Sequence, residues 1–193
     1  EGEEEEFLLD CAQKPLLVRF DEGNFLLKEW TFEKSREELL FQLKHDDAIG
    51  RMWAASELED GSDIPEVRAA LKAAAEEDPF WSVRASAMEA LLGTKDPSLV
   101  PFFRNRNLDE NSRVRTSALR ILGTYRDPAL GMFFRERFKK ENSYLAQAEA
   151  LSALGLCRDR GQIPFLKKAA EMESPRNIIR RSAGTAIKAL EEK

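Results

Sequence analysis

At 193 residues, with 42% apolar and 34% charged side chains, the chain holds one ordinary folded domain, or a small domain plus a fragment of another. No run of 18 or more apolar residues occurs, which excludes a transmembrane helix. Two distant cysteines, Cys11 and Cys157, give no sign of a disulfide framework or a zinc knuckle, and the single histidine, His45, reads as a helix cap rather than a catalytic base.

Net charge is −5, and five glutamates fall within the first six residues, so the remainder is neutral. Residues 104–140 hold ten Lys/Arg against four Asp/Glu, the one stretch whose charge suits an anionic partner. The chain opens Glu1-Gly2-Glu3 without Met or a basic-then-apolar leader, which is expected of a processed chain or an excerpt from a longer one.

From Phe7 to Phe32 the pattern is strand-like. Phe7-Leu8-Leu9 and Leu16-Leu17-Val18-Arg19-Phe20 are short apolar runs, and residues 25–32 are rich in aromatics. Asp21-Glu22-Gly23-Asn24 supplies a turn in which Gly accepts positive φ, so a β-hairpin is expected. Two or three strands make no stable core alone, and residues 1–33 read as the trailing edge of an incomplete β-sandwich domain.

Residues 34–193 read as helix throughout. Ser35-Arg36-Glu37-Glu38 is a capping box, and His45 closes its helix where a cation meets the dipole. Asp78-Pro79, Asp96-Pro97, Asp127-Pro128 and Ser174-Pro175 each join an N-cap acceptor to a proline at the first helical position. Helices are predicted over 36–45, 47–59, 64–77, 79–92, 97–107, 112–123, 128–140, 143–156, 161–173 and 175–191.

Superposing the second helix of each pair exposes a repeat. Val83-Arg84-Ala85-Ser86-Ala87 matches Val114-Arg115-Thr116-Ser117-Ala118 and Ile179-Arg180-Arg181-Ser182-Ala183. Gly50-Arg51-Met52-Trp53-Ala54 and Ala146-Gln147-Ala148-Glu149-Ala150 are weaker copies. The shared alanine falls at 54, 87, 118, 150 and 183, in steps of 33, 31, 32 and 33 residues. That period with two helices per unit predicts a mainly α fold, a right-handed α-α superhelix of about five hairpins. The small residue lets neighbouring hairpins approach, and Leu91, Leu122 and Leu154 fill the layer between them.

The Val-Arg-x-x-Ala helices with Asp-Pro starts resemble short HEAT-like repeats. A second resemblance rests on Phe20-Asp21-Glu22-Gly23-Asn24-Phe25-Leu26-Leu27-Lys28, Phe32-Glu33-Lys34-Ser35, Gln42-Leu43-Lys44-His45-Asp46 and Ile49-Gly50-Arg51-Met52-Trp53-Ala54-Ala55. In order and spacing, over about residues 7–60, these are similar to the junction between β-sandwich and helical C-terminal domain in bacterial aminopeptidase N family zinc metallopeptidases. The resemblance implies a non-catalytic helical domain that walls the peptide cavity and docks on its own upstream catalytic and β-sandwich domains. It implies zinc in that missing catalytic domain, and a bacterial cytoplasmic or periplasmic setting. The family's H-E-x-x-H helix and G-x-M-E-N loop have no counterpart here, so no catalytic, cofactor or metal residue carries over. The alternative from another class is a free-standing HEAT-repeat scaffold that binds a protein on its concave face, and the third is an anion or nucleic-acid binder.

The candidate binding residues are Arg51, Arg84, Arg115 and Arg180, which recur at one helical position and should form a ladder. Each either pairs with an acid such as Asp78 or Glu110 or with helix-end carbonyls, or holds a peptide or partner carboxylate in its planar fork. Trp53 stands where sister repeats have serine and is a candidate domain contact. Phe102-Phe103 and Phe133-Phe134 are expected in the core. Arginines that alternate with acids, as in Arg135-Glu136-Arg137, and a whole-chain pI of 5.2 disfavour nucleic acid.

Overall fold

The computed structural model describes residues 8, 10–21, 23, 25–27 and 31–192. The Ser35 hydroxyl accepts from the Glu38 N–H at 3.2 Å and starts α1 (Arg36–His45). The Asp47 carboxylate then caps α2 (Ala48–Glu57) through the Gly50 N–H at 2.8 Å. Four further pairs follow: α3 (Pro65–Glu77) with α4 (Trp81–Leu92), and α5 (Val100–Arg106) with α6 (Ser112–Thr124). The last two are α7 (Gly131–Lys140) with α8 (Tyr144–Leu156), and α9 (Ile163–Ala170) with α10 (Ile178–Glu191). Each odd helix packs on the even helix that follows it, and the even helices stack as α2, α4, α6, α8 and α10. The result is a solenoid of five hairpins in two layers.

The repeat alanines explain the stacking. Ala54, Ala87, Ala118, Ala150 and Ala183 have no exposed surface. Small residues bring the later even helices closest: a Cβ built on Gly123 would lie 3.0 Å from the Ala153 Cβ, and one on Gly155 only 2.6 Å from the Ala186 Cα. Between hairpins Leu91, Leu119, Leu122, Leu151 and Leu154 are wholly buried. Each contributes roughly 1.5–3 kcal/mol of transfer free energy, so this apolar layer dominates the fold.

Three Asp-Pro or Ser-Pro steps start single 3₁₀ turns ahead of the α-helix, at Pro97–Leu99, Pro128–Leu130 and Pro175–Asn177. Asp96 and Asp127 cap theirs by accepting from Ser98 and Ala129 N–H groups, both at 2.9 Å. Just before the turns that begin at Asp96, Asp127 and Asp159, Lys95, Arg126 and Arg158 adopt φ of 48°, 52° and 59°. A left-handed residue at a helix C-terminus usually signals glycine, and here the backbone takes that shape with long basic residues.

The expected β-hairpin is corrected. No strand occurs among the described residues, and part of the second expected strand lies outside them. The first, residues 16–20, is described and irregular. Its backbone groups are taken by side chains: the Val18 N–H donates to Glu38 Oε1 at 3.0 Å, and its carbonyl accepts from Lys34 Nζ at 2.7 Å. Groups held this way are not available to a sheet ladder. The turn does form around Asp21, whose carboxylate accepts from Phe25 and Leu26 N–H at 3.1 and 2.9 Å, with Gly23 at φ 84°.

Candidate partner-binding surface

The ladder expected from the repeat is present, and most of its rungs are closed from within. Arg51 Nε and Nη2 donate to Asp78 at 2.7 and 3.0 Å. Arg84 grips Asp109 with two bonds of 2.9 Å, and Arg115 grips Glu141 at 2.7 and 2.6 Å. Each arginine also donates through Nη1 to a carbonyl at the preceding turn, those of Asp46, Asp78 and Asp109. The acids have second duties: Asp78, Asp109 and Glu141 accept N–H groups from Phe80, Asn111 and Ser143 where the next even helix begins. A carboxylate there also meets the positive end of the helix dipole. Arg84 and Asp109 side chains are each 7% exposed, and Glu141 is 1% exposed.

Two positions differ. Gln147 takes the fourth ladder position and bonds to carbonyls alone, those of Glu141 at 2.9 Å and Phe138 at 3.4 Å. Arg180 is exposed and donates to the Ala170 carbonyl at 3.2 Å, and among the described residues no carboxylate reaches it. A further rung was not anticipated. Arg19 Nη1 donates to Asp46 at 2.6 Å and Asp47 at 2.9 Å, one repeat ahead of Arg51 on Asp78. The signal was present as a Val-Arg step 32 residues before Arg51. Trp53, half-buried, lines a cleft with Arg19, Phe20 and Lys34, whose Nζ stands 5.3 Å from its ring centroid.

A second feature emerges in register with the ladder. Two or three positions before the ladder residue, at the first turn of the even helices, stand Ile49, Trp81, Arg113, Tyr144 and Leu145. Ile49 is 47% exposed, Tyr144 47% and Leu145 59%, and Phe80 adds 39% beside Trp81. The Arg113 guanidinium lies over the Trp81 ring at 4.8 Å and joins two hairpins. Because stacked helices sit about 8–10 Å apart, these side chains form a ridge on the order of 30 Å long. Farther along the same layer Arg120 pairs with Glu89, and Glu149 is raised above the ordinary glutamate range by burial, an effect that Arg120 only partly offsets.

The basic stretch divides between the layers. Arg104 and Arg135 on odd helices lie over Phe133 and Phe165 at 5.0 and 4.7 Å, as Lys72, outside the stretch, lies over Phe102 at 5.1 Å. Arg113, Arg115 and Arg120 belong to α6 in the other layer. This distribution makes no single basic stripe. Phe103 and Phe134 are wholly buried, as expected, with Phe102 9% exposed and Phe133 half-buried. Among the described residues no three or more His, Cys, Asp or Glu gather as a metal-ligand cluster.

Comparison with known proteins agrees with this architecture. Residues 68–155 match the HEAT repeats family. No curated protein matches the chain. Among solved structures, a chain of the complex of CpcE and CpcF of phycocyanin lyase from Nostoc sp. PCC7120 is similar, with a TM-score of 0.62 and 20% identity. The match covers 88% of this chain and 70% of that one. The fold is a HEAT-like α-solenoid whose second to fourth hairpins carry the matched HEAT repeats.

Proposed function

We propose that the chain is a HEAT-repeat scaffold that binds a protein partner along its even-helix layer. The ridge of Ile49, Phe80, Trp81, Arg113, Tyr144 and Leu145 carries this reading. Its composition of Trp, Tyr and Arg among aliphatic residues is the composition of interface hot spots. A repeating register that exposes apolar side chains along several hairpins marks an interaction surface better than scattered ones do. The solved neighbour is a chain of the complex of CpcE and CpcF, which fits a partner-binding role. Arg180 stands at the end of the same layer with an exposed fork that suits a partner carboxylate.

The junction resemblance supports a second reading, a C-terminal module over 34–193 of an aminopeptidase-N-like peptidase, with Trp53 in contact with a preceding domain. It stands below the scaffold, because the strand it leans on at 16–20 is irregular and the family match and the solved neighbour point to HEAT architecture alone.

The test replaces Tyr144 with a photo-crosslinking residue in one protein and Lys167, on odd helix α9, in another. After irradiation in the source cells, one dominant protein adduct is expected at position 144 and none at 167. The double variant Ile49→Ser/Leu145→Ser should lose that adduct while its circular dichroism is unchanged. Equal adducts at both positions, or an adduct indifferent to the double variant, would refute the reading.

A further inference from the structure

The first rung is built differently from the others. In later repeats the residue before the ladder position is Val83, Val114, Ala146 or Ile179, and only the first has glycine, Gly50. A Cβ there would lie 1.7 Å from Asp46 Oδ2, so the glycine is what lets the Asp46 carboxylate lie flat against α2. Glycine inside a helix is unfavourable relative to alanine, and a compensating use is expected. That carboxylate is held ready for a cation. Gln42 Nε2 fixes Oδ2 at 2.9 Å, the Asp47 N–H donates to Oδ1 at 2.8 Å, and the side chain is only 5% exposed. Asp47 stands beside it, its carboxyl lowered below the ordinary range first by the Gly50 N–H and then by Arg19.

The interior rungs receive their arginine from a helix, whereas this one receives Arg19 from an irregular segment. Leu16, Val18 and Phe20 of that segment are 67%, 43% and 56% exposed, so these three bury little apolar surface. Among the described residues the segment is anchored by polar contacts that include Arg19 Nη1 on Asp46 and Asp47, the Val18 N–H on Glu38, and the Val18 carbonyl on Lys34. Lys34 Nζ is 1% exposed and is braced by Gln42 Oε1 at 2.8 Å, so it keeps its position beside Trp53 as a fixed donor for a passing carbonyl. A preset carboxylate pair and a preset carbonyl donor read a chain segment whose arginine follows a residue with a free carbonyl.

We infer that Asp46, Asp47, Lys34 and Gly50 form a docking notch for a partner protein segment that presents an arginine between an aliphatic and an aromatic residue, and that residues 16–21 fill it in cis. Arg19 then competes with the partner's arginine. Tethering gives the cis segment an effective concentration in the millimolar range, so the notch is closed to weak ligands and open to one that binds a larger surface. Ile49 borders both the notch and the ridge, so one partner can engage the two together. The notch does not depend on the ridge being correct.

The experiment uses the whole chain and a fluorescein-labelled peptide of residues 14–21 added in trans, read by fluorescence anisotropy. The peptide is expected to bind the Arg19→Ala protein at least tenfold more tightly than the wild-type protein, in which the cis segment competes. Binding should vanish for a peptide carrying Arg19→Ala. It should also vanish for Arg19→Ala protein that carries Asp46→Asn, and fall for one that carries Asp47→Asn, the more exposed acid, should the first fold poorly. Equal affinity for the two proteins, no binding to the Arg19→Ala protein, or binding indifferent to the peptide's arginine overturns the notch.

Discussion

Arg84 in the middle of the ladder and Arg180 at its last position occupy the same place in the repeat and have opposite surroundings. Arg84 is buried, with a bidentate carboxylate in front and two carbonyls behind. Arg180 is exposed, with one carbonyl. Nothing in the local sequences Val83-Arg84 and Ile179-Arg180 distinguishes them. The difference comes from the next hairpin, which delivers Asp109 to the first and, among the described residues, no acid to the second. A repeat residue is therefore structural or available according to what stacks on it.

The largest effect expected from this contrast lies at the interior rung. Arg84→Ala leaves Asp109 at 7% exposure with a charge and no cation, and removal of one partner from a buried pair costs about 3–5 kcal/mol. Because both groups keep some contact with solvent, about 3 kcal/mol is expected in urea unfolding. Arg180→Ala should fall within ±0.5 kcal/mol, the range of surface substitutions. Equal losses at the two sites would show that the ladder is uniform and that its end is closed as firmly as its middle.

The next effect sharpens the comparison between even-helix contacts. Gly155→Ala puts a Cβ 2.6 Å from the Ala186 Cα and 2.7 Å from its Cβ, and backbone cannot swing aside as a long side chain can. Helices α8 and α10 must part, and overpacking of this kind costs about 1–3 kcal/mol despite alanine's better helix propensity. Gly184→Ala is the control, since nothing lies within 4 Å of the added carbon. It should be neutral or stabilising by up to ~1 kcal/mol, because the gain in helix propensity is then unopposed. Thermal unfolding of the two variants side by side measures the difference.

The same contrast between local and stacked information explains what the sequence disclosed. The repeat alanines were legible because close packing leaves no alternative at Ala87 or Ala118, and each such constraint leaves its mark every 31–33 residues. Caps at Ser35, Asp96 and Asp127 were legible because an N-cap oxygen acts within three residues. The acids that close the ladder were harder to find, since Asp109 lies 25 residues from Arg84 and Glu141 26 from Arg115. The left-handed turns at Lys95, Arg126 and Arg158 were invisible, because the usual glycine signal is absent. Residues 16–20 misled through their apolar character: a strand pattern is a property of one segment, and a strand needs a second. The ridge was missed because Ile49, Arg113 and Leu145 share a register but no residue type.

The smallest effect concerns two glutamates of one hairpin, Glu141 in the turn before α8 and Glu149 within it, and it tests whether burial or partnership sets their charge. Glu141 is almost wholly buried, and burial alone would raise it. The Arg115 fork and the N–H groups of Ser143 and Asn142 outweigh that, so its carboxyl is lowered. Glu149 also meets burial first, but its one opposing influence is Arg120, already paired with Glu89, and its carboxyl is raised. The signs follow from linkage. Glu141 contributes stability above the ordinary glutamate range that is lost as pH falls through its lowered native value. Glu149 binds its proton more tightly folded than unfolded, so stability declines as pH rises from the ordinary glutamate range through its raised native value. Glu149→Gln should therefore stabilise the chain at neutral pH by about 0.5 kcal/mol, within the range of substitutions outside the core. The gain should vanish below the ordinary glutamate range, where the native carboxyl is already neutral. A gain that persists unchanged at low pH would mean that glutamine packs better there, and that the carboxyl's charge is not what strains the layer.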